Sequence, residues 1–200
     1  MKSANRCGYT LVEVLAVIGI MIAVLSLTIP TVGNIRSSAW LNEAAEIVSQ
    51  QFLVARQQAI GKGMVAEVRF LEKDNRWFGV QTVIYLQGGA VEPLTAVAKF
   101  PEGVAIEVSE RLSPFLNSLN SETTTLNQYG AVNWRGLRFT PSGEATGPES
   151  APALSADRAF LTIVLNHDLS ASRPAGGAPP SNYATVQVTP ATGRVTVYRP

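Results

Sequence analysis

The spacing of apolar residues changes twice along the chain. From Leu11 to Ile29 nearly every position is apolar, and Glu13 is the one charge. Beyond Pro30 the pattern thins to a stripe: Leu41, Ala44, Ala45, Val48, Phe52, Ala55 and Ala59 recur at steps of three and four. Glu43, Glu46, Gln50 and Gln57 fall largely elsewhere around that helix. The spacing predicts an amphipathic helix to about Ile60, stopped at Gly61-Lys62-Gly63 and laid against a sheet.

After Gly63 the period becomes two. Val65 to Leu71 and Trp77 to Leu86 read as strands joined by the polar turn Glu72 to Arg76. Leu94 to Phe100 and Val104 to Val108 read as a second pair around Pro101-Glu102-Gly103. Residues 109–134 are irregular, with a Ser/Thr/Asn-rich stretch from Asn117 to Gln128 that reads as a surface excursion, with a short helical turn near Pro114. Leu137 to Thr140 returns to strand and stops at Pro141-Ser142-Gly143. Phe160 to Asn166 is a strand, Ser172 to Asn182 a loop, and Tyr183 to Thr189 with Arg194 to Tyr198 a terminal hairpin. The fold class expected is α+β: a long N-terminal helix packed on an antiparallel sheet or sandwich.

The N-terminal segment has three readings. MKSANRCG is short and polar, and Lys2 and Arg6 hold its side of a membrane in the cytoplasm. The nineteen helical residues from Leu11 to Ile29 would span roughly 28 Å, close to the hydrocarbon thickness. A secretory signal would have a shorter apolar core with a small-residue cleavage site after it. A plain signal anchor fits the length but leaves Glu13 unexplained, since a carboxylate at mid-bilayer costs about 2.5–3.5 kcal/mol. The third reading rests on Gly8-Tyr9-Thr10-Leu11-Val12-Glu13, which resembles the type IV prepilin motif. That resemblance implies cleavage between Gly8 and Tyr9 by a membrane prepilin peptidase and methylation of the new N-terminus at Tyr9. It makes Glu13 the fifth mature residue and Pro30 the twenty-second, and Glu13 pairs with the N-terminal amine of a neighbouring subunit. Tyr9 departs from the family's usual phenylalanine but keeps the aromatic ring. Pro30, with Gly33 after it, reads either as a helix boundary at the membrane edge or, by the resemblance, as a flexible joint used in packing.

The domain reading is then a leader over residues 1–8, a transmembrane assembly helix over 9–30, its amphipathic continuation over 31–62 and a β-rich head over 63–200. The resemblance implies a single pass through the bacterial inner membrane, with a cytoplasmic leader and periplasmic head, followed by incorporation into a pilus or pseudopilus filament. Partners implied are the peptidase, the inner membrane and other pilin or pseudopilin subunits. Within the head, Phe52 to Ile60 with the strand Val65 to Phe70, and Leu137-Arg138-Phe139-Thr140-Pro141-Ser142-Gly143, resemble the GspH/FimT group of minor pseudopilins and pilins. Val188 to Val195 with Tyr198-Arg199-Pro200 resembles still more closely the pilin-like Verru_Chthon cassette protein D family, which implies no particular activity.

Composition narrows the chemistry. Of 200 residues 16% are charged and 46% hydrophobic, and the net charge is +1; removing Lys2 and Arg6 leaves −1 for residues 9–200. Broad electrostatic capture of nucleic acid has no support in that balance. FimT-like relatives include DNA binders, and Arg194 and Arg199 stand near this C-terminus as head contacts for a nucleic acid, but two arginines are a weak basic signal. The alternative function is therefore a filament-tip binding head for DNA, a surface or a secreted substrate. Cys7 is the sole cysteine, which excludes an intrachain disulfide, and it would leave with the leader. No cluster has zinc spacing, and no cofactor is expected. His167 beside Asp168 lacks a recognisable nucleophile partner, Ser142 is a turn serine outside any nucleophile elbow, and Asp74-Asn75 reads as a solvated turn. Trp40, Trp77 and Trp134 read as packing residues. The expectation is a filament subunit, not an enzyme.

Overall fold

Thr10 starts the first helix. Its hydroxyl accepts the Glu13 N–H at 3.2 Å and its carbonyl accepts the Val14 N–H at 3.2 Å, the geometry of an N-cap. In this computed structural model residues 10–147, 154–169 and 180–200 are described, with the side chains of residues 25–36 excepted. Helix α1 runs from Leu11 to Lys62. It ends two residues later than its apolar stripe predicts, at Gly63, whose φ of 64° lets the Met64 N–H reach back to the Ala59 carbonyl at 3.2 Å. The chain divides into two units, residues 1–38 and 39–200.

In the second unit, eleven strands among the described residues form two antiparallel sheets. The strands are β1 (Ala66–Lys73), β2 (Arg76–Tyr85), β3 (Val91–Pro93), β4 (Ala98–Lys99), β5 (Val104–Glu107), β6 (Glu122–Leu126), β7 (Gly130–Phe139), β8 (Ala145–Thr146), β9 (Phe160–Leu165), β10 (Tyr183–Thr189) and β11 (Arg194–Tyr198). The first sheet has the order β3-β2-β1-β7-β6, with β4 added to β2 and β8 to β7. The second has the order β11-β10-β9-β5. A short helix, α2 (Pro114–Ser118), follows β5, as the proline there foretells.

The stripe residues Leu41, Ala44, Ala45, Val48, Phe52, Ala55 and Ala59 are all buried, as the spacing requires. They share one core with Ala66, Val68, Phe70, Leu137 and Phe139 of the first sheet and Leu161, Ile163, Val186 and Val188 of the second. Phe52 sits at its centre, with ring centroids 5.9 Å from Phe70 and 6.0 Å from Phe139. Both sheets therefore bury a face against the same helix. On the other face of the first sheet a smaller cluster joins Leu71, Val132 and Trp134 with Phe78 and Tyr129. Trp77 and Trp134 are buried and Trp40 is partly so.

Three expectations change. The turn between β1 and β2 tightens to two residues, Asp74 and Asn75, both at positive φ (53° and 60°), with Lys73 paired to Arg76. Two positive-φ residues give the turn a twist that matches the flanking strands, and Asp and Asn tolerate it. Residues 94–100 and 104–108 do not form a pair. β4 joins β2 and β5 joins β9, so Pro101-Glu102-Gly103 is a crossing between sheets. Gly103 lies against the face of Trp40, where a Cβ would collide with the ring. The excursion from Asn117 to Gln128 contains β6, and β7 begins at Gly130 instead of Leu137. β6 reads Glu-Thr-Thr-Thr-Leu without apolar alternation because it is an exposed edge strand held by its ladder to β7.

Candidate functional site

The first unit presents an apolar helix to its surroundings. Leu11, Val12, Leu15, Ile20 and Met21 are each 60–79% exposed. Val14, Val17, Ile18, Ile22 and Val24 are 47–59% exposed. These positions cover every side of the helix, not one stripe. Burying side chains of this kind is worth about 1.5–3 kcal/mol each, so the surface left open represents on the order of 10 kcal/mol of unrealised burial. Contiguous exposed apolar surface of this kind marks a site of protein or membrane contact. Glu13 is the one charge in residues 10–24 and lies in the first turn. Its position at the helix N-terminus suits a carboxylate, and Thr10 with Glu13 has the spacing of a capping box, of which the Thr10 half is made.

Gly8 and Tyr9 lie outside the described residues. Pro30 falls within α1, in the stretch whose side chains are not described. Among the described residues no helix is long and apolar enough to cross a membrane; of the run from Leu11 to Ile29, side chains are described as far as Val24.

The C-terminal arginines are not brought together. Arg194 opens β11 and Arg199 lies beyond its end at Tyr198, both exposed. They stand five positions apart, one within the strand and one outside it. Arg194 instead lines a groove of about 710 Å³ with Glu46, Leu53, Arg56, Thr192 and Val197. Arg56 is held there by donating its Nε–H to the Thr192 carbonyl at 2.8 Å. His167 sits in an exposed turn of 3₁₀ helix, Asn166–Asp168, with Nε2 3.6 Å from Asp168 Oδ2. Among the described residues no group of three or more His, Cys, Asp and Glu stands close enough to hold a metal.

The pattern of alternation does not reveal the charge network on the outer face of the first sheet. Glu67 is fully buried, yet it lies on the face of β1 opposite Val68 and Phe70. Arg69 Nε donates to its Oε2 at 2.8 Å, Arg138 Nε to its Oε1 at 3.0 Å, and Tyr85 Oη to its Oε2 at 2.8 Å. The Arg69 guanidinium stacks 3.9 Å from the Trp134 ring centre, and Arg138 lies 4.9 Å from that of Tyr85. Burial, and then the Glu67 carboxylate, push the Tyr85 phenol above its usual value. Burial, the largest single influence, would lower Arg138, but the hydrogen bond to Glu67 together with the charges and hydrogen bond of Glu67 and Tyr85 outweighs it, and the guanidinium holds its proton more tightly than usual. The only trace in the sequence is Glu67 two residues from Arg69, which places both on one face of a strand.

The fold is similar to that of two solved structures. One is the minor pseudopilin EpsH from the Type 2 Secretion System of Vibrio cholerae, at 14% identity and a TM-score of 0.46, covering 80% of this chain and 97% of that one. A second structure of the same pseudopilin gives 17% identity and a TM-score of 0.43, covering 80% and 96%. A likeness at this identity and TM-score assigns neither family nor function. No family model matches the chain, and no curated protein matches it.

Proposed function

We propose that this chain is a pilin-like subunit of a type IV pilus or a type II secretion-type filament, assembled through its N-terminal helix. The observation that carries the reading is the exposed apolar surface from Leu11 to Val24 with a single charge, Glu13, one turn from its start. A helix apolar on all sides is stable only inside lipid or among other helices. The prepilin-like spacing of Gly8, Tyr9 and Glu13 supports both environments in turn: inner membrane first, filament afterwards. Cleavage between Gly8 and Tyr9 before the apolar run leaves the helix attached to the head and creates an amine one turn from Glu13. N-methylation of Tyr9 by the prepilin peptidase follows from the same motif. In the filament, Glu13 pairs with the N-terminal amine of a neighbour, which offsets the cost of burying either charge and sets the axial register. The head then has a structural place in the filament and no catalytic role.

Replacing Glu13 with Ala tests the pairing. The Glu13→Ala chain should enter the membrane as well as wild type, because a costly charge has been removed, and should be depleted from sheared filaments when co-expressed with wild type. Equal incorporation of the two chains would refute the role of Glu13.

A further inference from the structure

The groove of about 710 Å³ that Arg194 lines lies between α1 and β11. β11 is the outermost strand of its sheet, paired with β10 on one side and with no strand on the other among the described residues. Its residues are open to solvent: Arg194, Val197 and Tyr198 are exposed, and Val195 and Thr196 partly so. The hydrogen bonds of β10 show what this edge offers. The Val188 N–H donates to the Ala159 carbonyl at 2.8 Å, on the β9 side of β10. Val188 pairs with Val195, so that pair exchanges no hydrogen bonds and the Val195 N–H and C=O point to the open side. Those of Val197, two residues on, point the same way. A strand edge of this kind accepts an added strand from a peptide.

The side chains beside that edge are apolar. Val195 and Val197 stand opposite Val188 and Val186, both buried, and cross-strand partners share a face. They therefore face the core side, where α1 brings Leu53 to the groove. The sheet stops short of covering them: Val197 is 37% and Leu53 49% exposed. Charge divides the groove by its ends. Arg56 is tied to the Thr192 carbonyl, next to where β11 begins with Arg194. Glu46 lies ten residues back along α1, roughly 15 Å away along its axis, and accepts a hydrogen bond from Gln50 Nε2 at 3.0 Å. A carboxylate on an occupant is favoured at the arginine end and repelled at the other.

From this we propose that the groove docks an extended segment of a partner protein, added antiparallel to β11 as a further strand. The segment reads apolar-x-apolar-acidic. Its apolar pair lies across from Val197 and Val195 and covers Leu53. Its acidic residue lies across from Arg194. Thr189, the β10 partner of Arg194, turns its carbonyl toward the β11 side, so Arg194 points its own backbone at β10 and the new pair is of the closer, non-hydrogen-bonded kind. The open edges of the first sheet, Val-Glu-Pro in β3 and Glu-Thr-Thr-Thr-Leu in β6, lack this pattern, which favours a partner over a second copy. The site is independent of the filament reading: either can fail without the other.

The test uses the full-length chain in detergent and the peptide acetyl-Thr-Val-Thr-Val-Glu-Thr-amide, with binding read by calorimetry. Saturable binding is expected, about fivefold weaker when Lys replaces Glu in the peptide, and Arg194→Glu should reverse that preference. N-methylation of both peptide Val residues removes the N–H groups aimed at β11 and should abolish binding. Val197→Pro removes a donor on the open side only, so it should weaken the peptide about tenfold while thermal melts show the head still folded. Sedimentation of the chain alone should give the same assembly state for wild type and Val197→Pro. The proposal is overturned if the peptide does not bind at millimolar concentration, if its N-methylated form binds as well, or if the Glu and Lys peptides bind alike. Self-association that Val197→Pro abolishes would assign the edge to a second copy and overturn the partner as occupant.

Discussion

Glu67 sits where a strand residue facing away from the core would ordinarily meet water. Two arginines, a tyrosine and a tryptophan cover it instead. The carboxylate joins side chains from β1, β2 and β7, so it acts across three adjacent strands. Glu67→Gln would leave Arg69 and Arg138 side by side without their counter-charge, and removing one partner of a buried charge network costs about 3–5 kcal/mol. The outcome expected is a loss of about 3 kcal/mol in denaturant melts, the low end because both arginines keep some contact with water. A loss below about 1 kcal/mol would mean that the network contributes little to holding the strands. The Tyr85 phenol gives this network a pH signature. Its folded value is raised above 10.0, so the proton is held more tightly in the folded state. The stabilisation is complete below the unfolded value of about 10 and is lost as pH rises through the folded value. The stability advantage of wild type over Tyr85→Phe should therefore shrink as pH rises above about 9, read from thermal melts at each pH. A gap that stayed constant would contradict the raised value.

At the scale of elements, α1 from Leu41 onward illustrates what periodicity can specify. Every residue of its stripe is buried. Its neighbour Leu53, apolar but off the stripe, remains 49% exposed. Phe52→Ala should cost about 3–5 kcal/mol through the cavity left between Phe70 and Phe139. Leu53→Ala should change stability by no more than about 0.5 kcal/mol. Urea melts of the two variants give the comparison directly, and similar losses would show that the helix packs by a different face. The terminal hairpin was equally legible, because Val-Gln-Val and Val-Thr-Val flank a Pro-x-x-Gly turn and Thr189 indeed pairs with Arg194. β5 and β6 were not. Which strand β5 pairs with depends on sequence-distant residues of β9, and no local pattern carries that choice. β6 is almost wholly polar, since an edge strand can be held by backbone hydrogen bonds alone. Glu67 was hidden for a related reason: alternation tells which face a residue takes, but not whether that face is covered. Gly136, opposite Arg69 on β7, is part of that cover; a Cβ there would stand 2.7 Å from the Glu67 carboxyl carbon, so Gly136→Ala should lower the melting temperature as well.

For the whole molecule, the head is stabilised by its own core, while the N-terminal helix exposes apolar surface that calls for another environment. Three accounts of that helix differ in where the chain is cut. A secretory signal is removed with its apolar run, an anchor is left intact, and a prepilin loses only its leader. Mass spectrometry of the N-terminal peptide, on chain purified from the membranes of cells that carry a prepilin peptidase, distinguishes all three. The filament-subunit account predicts a chain that begins at Tyr9 with one added methyl group on its amine. A chain that begins at Met1, or one that begins beyond Pro30, would contradict it.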